Sequence, residues 1–122
     1  MQHSPAFQAL CEAIRTGIQE IEVSELAEAL ALPGALLLDV REDHEWAMGR
    51  LPKAQHLGRG IIERDIEKKV PDKDTPLYLY CGGGYRSALA AHNLQLMGYS
   101  KVHSVAGGIK AWIAKGLPLH TQ

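Results

Sequence analysis

At 122 residues, 46% of them hydrophobic and 22% charged, the chain has the composition of one ordinary globular domain with a single packed core. Thirteen Lys and Arg against fourteen Asp and Glu give a formal net charge of −1, which argues against broad binding to nucleic acid or to an anionic membrane. No apolar run approaches the ~20 residues that span a bilayer. The opening Met1-Gln2-His3-Ser4-Pro5 lacks the basic and apolar segments of a secretion signal, so a cytoplasmic location is expected.

Ser4-Pro5 reads as a helix cap with proline at the first helical position, and Gly17 marks the stop. Phe7, Leu10, Cys11 and Ile14 recur at helical spacing, which assigns Cys11 to core packing. A short strand is predicted over Glu20 to Val23, with Ser24 as the next cap and Glu25 and Glu28 in the following helix, which ends before Pro33-Gly34. The unalternating run Ala35 to Leu38 reads as a strand buried on both faces, with Asp39-Val40-Arg41 at its carboxyl end. A short helix follows around His44 to Met48, then a turn through Gly49 and Pro52 and a brief strand near Gln55 to Leu57.

Ile62, Ile66 and Val70 recur at helical spacing until Pro71 interrupts them. After a polar loop to Pro76 come the strand Leu77 to Tyr80, the segment Cys81-Gly82-Gly83-Gly84-Tyr85-Arg86-Ser87, and a helix from about Arg86 to Met97 closed by Gly98. A last strand near Lys101 to Val105 leads into a helix from Gly108 to Lys115, with Ile109, Trp112 and Ile113 on one face and Gly116 and Pro118 as the stop. Alternating helix and strand signals favour an α/β domain with a mainly parallel sheet. In open sheets of that kind ligands bind outside the carboxyl ends of the strands, where both Asp39 and Cys81 fall.

The segment after Tyr80 carries the chemistry. Glycines let consecutive N–H groups converge into an anion-binding nest, and the following helix aims its positive end and unpaired N–H groups at the same place. Arg86 adds a permanent forked charge. Such a loop suits a sulfur anion on Cys81, and no separate general base is needed once the thiol is ionised. The chain holds only Cys11 and Cys81, which is not a disulfide scaffold. Six histidines (3, 44, 56, 92, 103 and 120) show no paired metal-ligand spacing, and the glycine loop lacks the lysine of a nucleotide-binding P-loop. No cofactor and no metal are expected.

Three blocks in order resemble a single-domain rhodanese, from about Ile21 to Leu119. They are Tyr80 to Ser87, matching the family's six-residue active-site loop; Leu38-Asp39-Val40-Arg41-Glu42 with Glu45-Trp46 and Gly49-Arg50-Leu51-Pro52-Lys53-Ala54; and Val105 to Trp112. Arg50 and Lys53 depart from the family's usual histidine and glycine. The resemblance implies a three-layer domain over residues 19–122, with a central five-stranded sheet flanked by helices, and an added helical extension over residues 1–18. It implies sulfur transfer from a small anionic donor such as thiosulfate, through a Cys81 persulfide, to cyanide or a thiol, with ping-pong kinetics. A protein persulfide partner fits the same chemistry; nucleic acid and membrane do not. Gly82, Gly83, Gly84, Tyr85, Arg86 and Ser87 then form the substrate-binding loop, with Asp39 and Arg41 in support.

Other roles stay open. Asp39 either belongs to the rim or ties down backbone while Arg41 pairs with Glu45 four residues on. Trp46 and Trp112 read as core. Tyr85 either lines the pocket mouth or is exposed, and Ser87 either caps the helix or donates to the anion. Gly107-Gly108 reads as a tight turn rather than an anion site. The rival activity is a cysteine-dependent phosphatase or arsenate reductase on the same fold, whose loop sets five residues between cysteine and arginine where this chain has Gly82 to Tyr85. A non-catalytic sulfur-relay or partner-binding module is the alternative from another class.

Overall fold

The computed structural model describes residues 3–121. Its elements, in order, are α1 (Pro5–Arg15), β1 (Gln19–Ile21), α2 (Val23–Ala29), β2 (Leu36–Asp39), α3 (Asp43–Met48), β3 (Gln55–His56), α4 (Ile62–Lys69), β4 (Leu77–Tyr80), α5 (Tyr85–Leu96), β5 (Val102–Val105) and α6 (Gly108–Ala114). The strands form one five-stranded sheet in the order β1-β5-β4-β2-β3, and every pairing is parallel. Parallel neighbours need a crossover, which the intervening helices supply.

Strand alternation sorts the apolar side chains onto two faces. Leu38, Leu77, Leu79 and Val102 point to a core closed by Ile62 and Ile66 of α4 and by Ala90, Ala91 and Leu94 of α5. Leu37, Tyr80 and Val105 point the other way, against Val23 and Leu26 of α2 and Ile109 and Trp112 of α6. A helix–sheet–helix sandwich results, with β4 in the middle of the sheet. β2 and β4 are neighbours, with Asp39 opposite Tyr80. The chain leaves β4 into α5 on one face, while the segment after α3 packs Leu51 against the other. Connections diverging from adjacent strands open a crevice at their carboxyl ends.

Several local expectations are corrected. Val23 is not strand but the first residue of α2, and the cap is Glu22 rather than Ser24. Glu22 and Glu25 form a reciprocal capping box, which satisfies orphan N–H groups that Ser24 would otherwise have to serve. Leu10 and Ile113 are about half exposed, because α1 and α6 each lie on their neighbours through a narrow stripe only. Trp46 is half-buried at the rim rather than in the core. Helix α3 buries none of its residues, so the indole is covered instead by the stacked ring of His56 at 5.0 Å and the Arg50 guanidinium at 4.4 Å. Trp112 is core as expected, its indole N–H bonded to the Pro118 carbonyl at 2.7 Å.

Candidate active site

Cys81 follows directly on the central strand and is nearly fully buried. Its sulfur accepts the backbone N–H of Gly84 at 3.1 Å and of Ser87 at 3.4 Å, and lies 3.6 Å from Ser87 Oγ. Ser87 Oγ is in turn 2.8 Å from Ser104 Oγ, a fully buried residue of neighbouring β5. Two amides and a hydroxyl chain thus converge on one sulfur, an arrangement that complements negative charge there.

The loop is held from behind by α6. The Ile109 N–H donates to the Cys81 carbonyl at 2.9 Å, and that of Lys110 to the Gly82 carbonyl at 3.2 Å. Gly107 and Gly108 both sit at positive φ, and a Cβ on Gly108 would lie against the Cys81 carbonyl oxygen and 2.7 Å from that of Gly82. The Gly107-Gly108 segment is therefore a turn, and its helix N-terminus is filled by loop carbonyls. In a planar trans peptide the N–H points opposite the C=O. Fixing the Cys81 and Gly82 carbonyls toward α6 therefore turns the N–H groups of Gly82 and Gly83 away from it. Neither amide has a protein acceptor among the described residues.

The three glycines are not equivalent. Gly84 has φ +101, and a Cβ there would come within 3.2 Å of the Gly107 nitrogen, so glycine is favoured for backbone reasons. At Gly82 a Cβ would press on the Arg86 guanidinium at 3.2 Å, whereas at Gly83 it would meet open space.

Arg86 does not project free into the crevice. It makes a forked pair with Glu45 of α3, at 2.6 and 3.0 Å. The same Glu45 Oε1 accepts the Glu42 N–H at 3.0 Å, so one carboxylate caps α3 and anchors the loop arginine. The guanidinium holds the Glu45 carboxyl down at about 2 despite partial burial. The expected Arg41–Glu45 pair is thereby corrected: Arg41 turns inward to Asp39, at 2.7 to 3.1 Å, and donates to the Gly49 carbonyl. Asp39 is fully buried and also accepts the Tyr80 hydroxyl at 2.6 Å and the Arg41 N–H at 2.9 Å. Burial and the neighbouring Asp39 push the Tyr80 hydroxyl far above its ordinary value, keeping it a neutral donor. Asp39 and Arg41 tie the ends of β2 and β4 to the loop at Gly49 and Leu51, on the sheet face opposite Cys81, and do not line its cleft.

That cleft, of about 620 Å³, is lined by Cys81, Gly82, Gly83, Tyr85, Arg86 and Glu45, and also by His3, Phe7, His44 and Lys110. Tyr85 is at the mouth, in an aromatic group with His3 at 4.5 Å and Phe7 at 6.0 Å. Cys11 is fully buried beneath it, its thiol 3.8 Å from the Tyr85 carbonyl, and both cysteines are free. Burial pushes the Cys11 thiol up. Sequence reasoning missed Ser104, the Glu45–Arg86 pair and the four residues His3, Phe7, His44 and Lys110. Ser104 alone left a faint signal, as a polar side chain on the same strand face as the apolar Val102.

A family model described as Rhodanese-like domain matches residues 22–115. A protein named sulfurtransferase from Allochromatium vinosum is 36% identical over 103 residues, covering 84% of this chain and 94% of that protein. The solution structure of a polysulfide-sulfur transferase homodimer from Wolinella succinogenes superposes with a TM-score of 0.81 at 27% identity, covering 94% of this chain and 87% of that one. A protein of unknown function from Rhodopseudomonas palustris, described as a possible tyrosine phosphatase, also gives 0.81 at 27% identity, covering 98% of both chains.

Proposed function

The chain belongs to the rhodanese-like domain family, and from that premise we propose that it is a sulfurtransferase in which Cys81 carries the sulfur. The observation that carries this reading is the Cys81 sulfur under the Gly84 and Ser87 amides at the end of the central strand. The Cys81 thiolate attacks the outer sulfur of a small anionic donor such as thiosulfate. A Cys81–sulfur bond forms, the donor's S–S bond breaks, and sulfite leaves with the electron pair. The outer sulfur of the resulting persulfide is itself anionic and meets the Gly82 and Gly83 N–H groups. A thiol or cyanide acceptor then attacks that sulfur and regenerates the thiolate, so the two half-reactions run through a covalent enzyme.

Equal superposition on a sulfur transferase and on a possible phosphatase means that the fold alone does not choose between them. The loop favours sulfur. Only Gly82 to Tyr85 separate Cys81 from Arg86, and the arginine fork is already committed to Glu45 rather than open to three phosphate oxygens. Residues 1–18 are proposed as an element added to the family domain, and Cys81 with the loop through Ser87 as the reactive centre.

Purified protein given thiosulfate and cyanide is expected to release thiocyanate, and Cys81→Ser to release none. Hydrolysis of an aryl phosphate without any thiocyanate formation would move the assignment to the phosphatase.

A further inference from the structure

The cleft beside Cys81 is larger than a small inorganic donor requires. Its volume of about 620 Å³ lies within the range of ~300–1,000 Å³ typical of sites for organic ligands. One wall comes from outside the family-matched residues. α1 packs on α5, its Cys11 sealed under the Tyr85 backbone, and this brings His3 and Phe7 against the Tyr85 ring. Lys110 also lines the cleft, its backbone fixed to the cysteine loop through the Gly82 carbonyl.

The two cations that line the cleft differ in kind. Arg86 is compensated by Glu45, whereas Lys110 has no carboxylate partner among the described residues and is exposed. The cleft therefore offers an aromatic face, a free ammonium and the thiol in one space.

Resting on the sulfur-transfer reading above, we infer that His3, Phe7 and Tyr85 form a subsite for the organic body of a sulfur carrier, a persulfide of a carboxylate-bearing thiol, with Lys110 taking the carboxylate. The carrier R–S–SH lays its carbon chain on the Phe7 and Tyr85 rings and presents its terminal sulfur to Cys81. The Cys81 thiolate bonds to that terminal sulfur, the carrier's S–S bond breaks, and R–S⁻ departs with the electron pair while the proton stays on the transferred sulfur or goes to water. No oxidant or reductant is consumed. Apolar contact with the wall favours the organic carrier over thiosulfate, which has no carbon surface to lay on the rings, and Lys110 offers the carrier's carboxylate an ion pair.

The test reads selectivity. Glutathione persulfide and thiosulfate are supplied separately, and the second-order rate of Cys81 persulfide formation is followed by intact-protein mass. Phe7→Ala is expected to lower the ratio of the two rate constants, glutathione persulfide over thiosulfate, by about 5–20-fold, the effect of removing one aromatic contact face. Phe7→Leu, which keeps the packing volume without the flat ring, is expected to lower the same ratio and guards against a folding defect in the alanine variant. Wild type is expected to prefer glutathione persulfide over its carboxyl ester, and Lys110→Met to lose that preference. A ratio unchanged within twofold in both Phe7 variants, or an ester discrimination that survives in Lys110→Met, overturns the subsite. Absence of any persulfide in wild type with both donors overturns instead the sulfur-transfer reading beneath it.

Discussion

Glu45 serves two elements with one carboxylate, and its energetics are accessible by titration. Its carboxyl is held at about 2 in the folded chain, chiefly by the Arg86 hydrogen bonds, against about 4.5 when unperturbed. A depressed carboxylate stabilises the fold fully above its unfolded pKa and loses that contribution as pH falls through the folded one. Glu45→Gln keeps the α3 capping box, since Gln also serves at that position. It is expected to cost about 1–3 kcal/mol at neutral pH, after discounting for partial solvent screening. The gap between variant and wild type should close between about pH 4.5 and pH 2, read by denaturant melts across that range; a gap independent of pH would contradict the ion pair. Lys53 is a second residue with a measurable signature. The resemblance marks it as a position usually held by glycine, and among the described residues it is the non-glycine one at positive φ, +69°. A left-handed non-glycine residue costs about 1–2 kcal/mol, part of which glycine returns through unfolded-chain entropy. Lys53→Gly should therefore stabilise by about 0.5–1 kcal/mol and raise Tm by a few degrees, as measured by calorimetry; a lower Tm would contradict the strain.

The cysteine loop and α6 behave as one element joined through carbonyls. Gly108→Ala drives a methyl into the Cys81 and Gly82 carbonyls at a positive φ, and is expected to destabilise by about 2 kcal/mol or more. Gly83→Ala points into open space and should stay within about 0.5 kcal/mol of wild type. Equal melting curves for the two variants would contradict this backing of the loop. Such contrasts mark how far the sequence could be read. The order strand, cysteine, glycines, arginine, helix was legible because its chemistry is local, and so were the helices, whose caps and apolar spacing lie within a few residues. Partner choice was not legible. Arg41 could meet Glu45 along the helix or Asp39 across two residues, and only the inward turn of the β2 end decides for Asp39. Glu22 outcompeted Ser24 as a cap because the reciprocal box needs Glu25 three residues on.

Across the whole molecule, the site exists because β2 and β4 are adjacent and their connections part to opposite faces. The sequence placed Asp39 and Cys81 at strand ends but could not order the strands, since parallel pairing depends on contacts between residues some forty positions apart. The same distance hid the cleft wall: α1 reaches Tyr85 only after α5 is packed. The buried Asp39–Arg41–Tyr80 cluster braces one face of this junction, and the Cys81–Ser87–Ser104 chain occupies the other. The central claim is that this junction carries a sulfur on Cys81. It is tested most directly by intact-protein mass after thiosulfate treatment, before and after cyanide is added. Wild type is predicted to gain the mass of one sulfur atom and lose it to cyanide with release of thiocyanate, while Cys81→Ser gains nothing. An unmodified wild-type mass, or an equal gain in Cys81→Ser, would contradict the account.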